Sequence, residues 1–322
     1  MTIQQEHAHE AASMYYLQGL TMGTIAHHLG ISRSSVSRLL AYARDTGLVR
    51  ITVAAPPGSH GTLSGQLRSQ FNVNAWVVPV RDVDTELSRV QAVAKVAAER
   101  LTDLMFPGAT LGVAWGNTTS AVAQKLTPQT IPNTTVVQLN GAANALDTGT
   151  LYVDSIISLI AQAFGSRSIH FPVPAFFDYP ETKQMLWKER SIRNVLQAIE
   201  TCDIALFGVG SMDSKILSHV YSGGFLEEEE LKAAKNSGVV GDVCTVLLRE
   251  DGSTYTPIDR RASGPNPHQL QKIRTRLCVV AGEAKVRPLL GALRAGVVTE
   301  LVVDSAVARA VLQQANHSHP KP

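Results

Sequence analysis

GVAWGNTTSAVAQKL, residues 112–126, sets the frame for the whole chain. An apolar run ends in a glycine, hydroxyl and amide side chains follow at once, and a helix-forming stretch begins there. This is the order strand, tight turn, helix N-terminus, and it puts hydrogen-bonding groups where a helix dipole favours an anion. The same beat continues on both sides. AWVVPV (75–80) precedes a helix read over 86–104, and TTVVQLN (134–140) precedes one read over 151–164. SIHFPV (168–173), IALFGV (204–209), CTVLLR (244–249), RLCVVAG (276–282) and ELVVDS (300–305) carry it on, the last leading into AVARAVLQQA (306–315). Such alternation predicts an α/β fold, a Rossmann-like and mostly parallel sheet with helices on both faces.

Ligands of such sheets bind beyond the carboxyl ends of the strands, so the residues just after each strand are the informative ones. They are Gly116, Asn117, Thr118 and Thr119; Asn140 and Gly141; Pro172 and Pro174; Gly208 and Gly210; Gly241 and Asp242; and Gly282 and Lys285. Small residues admit a ligand to backbone N–H groups, while hydroxyls and amides exchange hydrogen bonds with it. That lining suits a polyol or a sugar phosphate. Glycines after strands also serve plain turns, so the WGNTT cluster (115–119) and Lys285, whose chemistry exceeds what a turn needs, carry the reading.

The first fifty residues have a different pattern. Helix formers run from His9 through EAASMYYLQGL. Thr21 caps a helix in MGTIAHHL, GIS makes a turn, and RSSVSRLLAYARDTG is a third helix closed by Gly47. Ala26 is small where two helices cross, Gly30 supplies the turn, and Ile25, Leu29, Ile31, Val36 and Leu39 clamp the pair. The spacing is that of a helix-turn-helix. With the clamp turned inward, Arg33, Ser34, Ser35, Ser37 and Arg38 face a DNA groove, while Ser32 and Thr21 cap their helices, Thr21 beside a phosphate. LVRITVA (48–54) alternates like a strand and extends the unit as a wing. The alternative is a three-helix module that binds only protein. His27 and His28 are adjacent on a helix and cannot chelate one metal together.

Bulk composition agrees with a two-part reading. The chain has 322 residues, 17% of them charged, and a net charge of only +2. From Met22 to Arg50 the charges are Arg33, Arg38, Arg44 and Arg50 against Asp45, so the basic excess is local. AAPPGSHGT (54–62) breaks the periodicity, which places a DNA-binding domain at 1–54, a linker at 55–61 and an effector-binding and oligomerisation domain at 62–322. The helix read in LSGQLRSQF (63–71) belongs either to the second domain or to an oligomer contact. Cys202, Cys244 and Cys278 are far apart among apolar neighbours and read as reduced core thiols, with neither a disulfide framework nor a metal site. No apolar run reaches the roughly 20 residues of a membrane span and nothing directs export, so the expected address is cytoplasmic. EEEE (227–230) reads as a solvated helix start, and NHSHPKP as an unstructured end.

GVAWGNTT, VVQLNGA, DIALFGVGS, GVVGDV and VVAGEAKVRPLLGALRAGVVTELVVDSAVA, behind a helix-turn-helix, together resemble the SorC family of bacterial sugar-responsive transcriptional regulators over almost the whole chain. The resemblance implies a winged-helix-like DNA reader joined to an effector domain similar to sugar-phosphate isomerases and deaminases. It also implies a dimer or tetramer, double-stranded operator DNA as partner, and a sugar, polyol or sugar-phosphate effector. Carried onto this sequence, the segment from Gly116 holds the phosphate or nearest hydroxyls, Asp242 accepts from sugar hydroxyls, and Lys285 supplies positive charge. Two features depart from the family. After the GVGS stretch, MDSKILSHVYSGG offers only Lys215 as a cation, and Asn140 cannot form an imine with an aldehyde sugar.

The competing reading is an isomerase- or deaminase-like enzyme, since the implied fold hosts such catalysis. Proton abstraction needs a positioned base, and SMDSK after Gly210 has no histidine. Asp213 is expected to cap a helix starting at Ser214 instead. No catalytic residue, cofactor or metal is therefore expected. A sugar-binding scaffold without a DNA target is the third class, distinguished by lacking salt-sensitive, sequence-selective DNA affinity.

Overall fold

Helix boundaries in the first part of the chain follow from capping. The computed structural model describes residues 3–49, 62–143, 150–214 and 218–317, and the chain divides into two compact units, 1–57 and 58–322. In the first unit, α1 (Ile3–Ala12) runs into a π-helical turn at Ser13–Leu17, followed by α2 (Met22–Leu29) and α3 (Arg33–Asp45). Thr21 accepts from the Thr24 N–H at 3.2 Å and Ser32 from the Ser35 N–H at 3.1 Å, so both helices start where an N-cap oxygen satisfies an orphan donor. Gly30 ends α2 at φ +64°, a left-handed conformation glycine adopts without penalty, and Ile31 N–H closes the turn on the Ala26 carbonyl at 3.0 Å.

The clamp is deeper than its pattern suggested. Ile25 and Val36 are buried, while Leu29, Ile31 and Leu39 sit half-buried at its margin. Leu40 and Ala43 complete the core because positions 36, 40 and 43 share one face of α3. The first helix begins at Ile3, earlier than His9, and α3 ends at Asp45, two residues before Gly47. The wing strand at 48–54 and the linker at 55–61 fall, beyond residue 49, outside the described residues.

The second unit is a doubly wound sheet. Its strands are β1 (Asn74–Val78), β2 (Thr110–Val113), β3 (Thr135–Gln138), β4 (Arg167–Ile169), β5 (Ile204–Phe207), β6 (Gly210–Ser211), β7 (Val239–Val243), β8 (Val246–Arg249), β9 (Thr275–Val280) and β10 (Glu300–Asp304). Seven pair in parallel in the order β1-β10-β9-β5-β2-β3-β4. Strand residues alternate between two cores. Leu206, Leu277, Val279 and Val302 pack with the helices α5 (Glu86–Leu104), α6 (Asn117–Lys125) and α7 (Thr150–Phe164), whereas Phe207, Cys278, Val280 and Val303 pack against the opposite layer. That layer holds α4 (Leu63–Phe71), Arg190–Glu200, Val286–Arg294 and Ser305–His317. Period-two burial on both faces is what makes such strands read as continuous apolar runs. The helix at Leu63–Phe71 belongs to this unit, with Leu67 buried in its core.

CTVLLR does not continue the parallel beat. β8 pairs antiparallel with β7, and β7 with β6, in a separate three-stranded sheet. Cys244 and Thr245 are the two-residue hairpin loop between β7 and β8, and Gly241 and Asp242 therefore lie within a strand, not after one. Among the described residues no helix is long and apolar enough to cross a membrane, and no group of acidic, histidine and cysteine side chains is placed to hold a metal. The three cysteines are free and buried.

Candidate functional site

The chain leaves β2 outward to β3 and β4, then returns to place β5 on the other side of β2. Strand order reverses there, and a crevice opens beyond the carboxyl ends of both strands, as it must where two crossovers diverge. It holds about 520 Å³, counting its open mouth. Gly116, Asn117, Thr118 and Thr119 line it from the end of β2 and from α6, Gly208 from the end of β5, Gly210 from β6, and Asn140, Asp242 and Lys285 from three further elements. Nine residues singled out in the sequence thus come together.

Their polar groups are unevenly satisfied. α6 starts at Gly116 with no side-chain cap, and Thr119 turns its hydroxyl back to the Gly116 carbonyl at 3.0 Å, which leaves the half-buried Thr118 facing the crevice. Among the described residues, Asn140 is 1% exposed with no hydrogen-bond partner for its Oδ1, and Asp242 is 6% exposed with its Oδ1 equally orphaned. A side chain at Gly210 would collide with that same oxygen, 1.7 Å from where a Cβ would stand, so glycine is what lets the carboxylate reach inward. Two unsatisfied buried acceptors in one crevice cost about 1–3 kcal/mol each until a donor arrives.

Lys285 stands at the end of a short turn after β9, where burial pulls its ammonium pKa down while Asp242 and Glu86 pull it back up. Asp242 is pushed above 3.8 by burial, opposed by the nearby Tyr221 hydroxyl, by Lys285 and by the Thr245 N–H, which it accepts at 3.3 Å. Tyr221 Oη itself makes no hydrogen bond of normal geometry among the described residues. A carboxyl whose folded pKa lies above its unfolded one contributes stability that is present below the unfolded value and lost as pH rises through the folded value. Asp242→Asn is therefore expected to melt higher than the wild type at neutral pH, with the gap closing as pH falls toward 3.8. A gap independent of pH in thermal denaturation would remove burial as its cause.

The hairpin carrying Asp242 is strained. Cys244 and Thr245 have φ of +50° and +70°, in a turn that favours Asn-Gly, and both line the crevice. At ordinary buried positions alanine is more stable than glycine. Here the order is expected to invert, with Thr245→Gly above Thr245→Ala by about 1 kcal/mol in urea denaturation, because only glycine relieves the left-handed backbone. The usual order would show that the turn is unstrained.

Several residues fall elsewhere than the sequence placed them. Gly141 and Pro174 stand behind the crevice wall: a Cβ on Gly141 would meet the Val173 and Pro174 carbonyls at 2.3 and 2.4 Å, so the glycine serves a close chain crossing. Pro172 lines a different cavity, with His170 and Asp154. Asp213 caps no helix among the described residues and accepts instead from Lys235 Nζ at 2.7 Å. Lys215 lies outside the described residues. Glu227 caps the helix Glu228–Asn236, and Glu230 reaches Arg261 instead of staying solvated. The sequence reading missed Ser218, Val220 and Thr245, all in the crevice wall, and Glu86, which accepts from Ser214 Oγ at 3.0 Å and faces Lys285; Trp115, read with the cluster that follows it, also lines the crevice.

In the first unit, Ser32, Arg33, Ser34, Ser37 and Arg38 are exposed on the N-terminal half of α3, with Ser35 half-buried. The Ser32 hydroxyl is within 2.8 Å of Ser34 Oγ and 2.9 Å of Ser35 Oγ, and Arg38 Nη2 donates to Ser35 Oγ at 3.3 Å. Thr21 is exposed at the start of α2, as are His27 and His28 at its end.

Comparison with known proteins places both units. Residues 57–313 match the sugar-binding domain family Sugar-bind, and residues 10–46 match region 4 of sigma-70. The chain is 30% identical over 304 residues to the deoxyribonucleoside regulator of Bacillus subtilis (strain 168), covering 94% of this chain and 96% of that one. The crystal structure of a domain of a possible sugar-binding transcriptional regulator from Arthrobacter aurescens TC1 superimposes with a TM-score of 0.74 at 43% identity, covering 81% of this chain and all of that one. The full-length sorbitol operon regulator SorC from Klebsiella pneumoniae shares the fold across 97% of this chain and all of its own, with a TM-score of 0.75 at 23% identity.

Proposed function

The chain belongs to the SorC family of sugar-binding transcriptional regulators, and from that premise we propose that its crevice binds a sugar, polyol or sugar phosphate whose occupancy changes the affinity of α3 for operator DNA. The observation that carries the reading is the pair of orphaned acceptors, Asn140 Oδ1 and Asp242 Oδ1, in the wall of a crevice at the strand-order reversal. Vicinal hydroxyls are donors of the kind both would accept from. Lys285 and the uncapped start of α6 favour the anionic or most electron-rich end of the same ligand.

DNA affinity then shifts by the ligand's differential affinity for two states of the protein. Most soluble oligomers are symmetric, so the homodimer or tetramer that the family resemblance implies would sit on an approximately two-fold operator. Sensing is favoured over turnover because the base weighed for catalysis, Asp213, is held by Lys235 outside the crevice lining.

Thermal-shift screening of the full chain against sugars, polyols and their monophosphates tests this directly. A ligand at 100 times its Kd should stabilise the folded state by about 2.7 kcal/mol. A flat screen would contradict the crevice reading, and turnover of pentose or hexose phosphates above background would favour the enzyme.

A further inference from the structure

Trp115 follows Ala114 beyond the end of β2 and forms part of the crevice wall, yet it is 9% exposed because both its ring and its N–H are engaged. The indole Nε1 donates to the Gly141 carbonyl at 2.9 Å. The ring stacks on Phe225, with centroids 5.3 Å apart and planes at 24°. These contacts tie it to two segments that contribute to the crevice, the turn after β3 and the stretch from Ser218 to Phe225.

On one side is the turn that presents Asn140. Its backbone is held from behind by Gln138 Nε2, which donates to the Asn140 carbonyl at 2.7 Å, and by Ser263, whose hydroxyl accepts from the Gly141 N–H at 2.9 Å and donates to the Ala175 carbonyl. Trp115 supplies the tie from the crevice side. On the other side is the stretch from Ser218 to Phe225. It brings Ser218 and Val220 to the crevice and Tyr221 beside Asp242. Among the described residues its backbone hydrogen bonds are internal, from Tyr221 and Ser222 to the Ser218 carbonyl, so side chains fasten it to the fold. Phe225 on Trp115 is such a fastening. A segment held by side-chain packing instead of a backbone ladder opens at lower free energy than the sheet beneath it.

We propose that Trp115 is the positioning residue of the crevice, a single side chain that sets both the Asn140 acceptor and the Ser218–Phe225 stretch. The assignment rests on the reading of the crevice as a ligand site. A core tryptophan would be needed only for stability. A positioning tryptophan sets ligand affinity through two separable contacts.

Two conservative variants of the full chain separate them. Trp115→Phe keeps a ring for Phe225 and removes the N–H donor, whereas Phe225→Leu keeps the donor and removes the stack. Hydrogen exchange of the free protein is expected to speed up at 141–142 in the first variant and across 218–226 in the second, each by about fivefold or more, with the strands of the main sheet unchanged. Titration with four- to six-carbon polyols and their monophosphates is expected to show the tightest of them weakened by at least about tenfold in both variants. DNA binding should stay within about twofold of the wild type.

Exchange that rises everywhere, or ligand binding within about twofold of wild type despite the local loosening, would reduce Trp115 to a core residue and leave the crevice reading intact. Failure of the wild type to bind any of these probes would overturn the crevice reading and the assignment with it.

Discussion

Replacing Arg33 and Arg38 together by alanine is expected to weaken operator binding by about 2–4 kcal/mol, roughly 30- to 1000-fold in Kd, if each makes a bidentate contact to a base edge. Arg33 and Arg38 are exposed on α3 while Val36 and Leu40 are buried, so their loss leaves the clamp untouched. Alanine also favours the helix at both positions. The two contacts need not be alike. Arg38 is steadied by Ser35 Oγ, and a pre-oriented guanidinium loses less freedom on binding a guanine edge. A base contact relaxes sequence preference at one position, whereas a phosphate contact weakens all sequences alike and lowers the salt slope by about one. Operator and random DNA measured against salt with each single variant would sort them. Unchanged operator affinity in the double variant would remove α3 as the reading helix.

Lys285→Met is expected to cost at least about 3 kcal/mol of ligand affinity, more than a hundredfold, while operator binding in the absence of ligand stays as it was. The ammonium is the cation that Asp242 and Glu86 share, and methionine keeps the apolar stem while removing the charge. With it gone, burial pushes the Asp242 carboxyl further toward its neutral form, and an acceptor becomes a donor where a hydroxyl should donate. Leaving two carboxyls without their cation also destabilises the second unit, so ligand binding must be measured well below the melting temperature. A variant that binds ligand like the wild type would place the ligand elsewhere.

What the sequence disclosed and what it withheld divide along a physical line. Thr21, Ser32 and Gly30 were legible because capping and left-handed turns are decided within four residues. The helix at Glu86–Leu104 was legible because nineteen residues of apolar periodicity leave little choice. The crevice was legible because the strand-end rule needs only the order of elements, not their contacts. The β7–β8 hairpin was not, since Cys-Thr carries none of the usual signals of a two-residue turn and the strain sits in the backbone alone. Gly141 and Pro174 were read into the crevice wall and stand behind it, for a shared reason. Whether a residue after a strand faces a ligand or a neighbouring segment depends on chain crossings, here the approach of Val173 and Pro174 to Gly141, that no local pattern encodes.

The coupling between crevice and DNA is tested most directly by measuring operator affinity of the full chain, on a sequence selected from a random pool, with and without a saturating polyol or sugar phosphate identified by thermal shift. Operator Kd is expected to change by at least about fivefold, the ligand's own Kd to change by the same factor when DNA is saturating, and Lys285→Met to abolish both shifts. A ligand that occupies the crevice while operator Kd stays the same would contradict the sensing role outright.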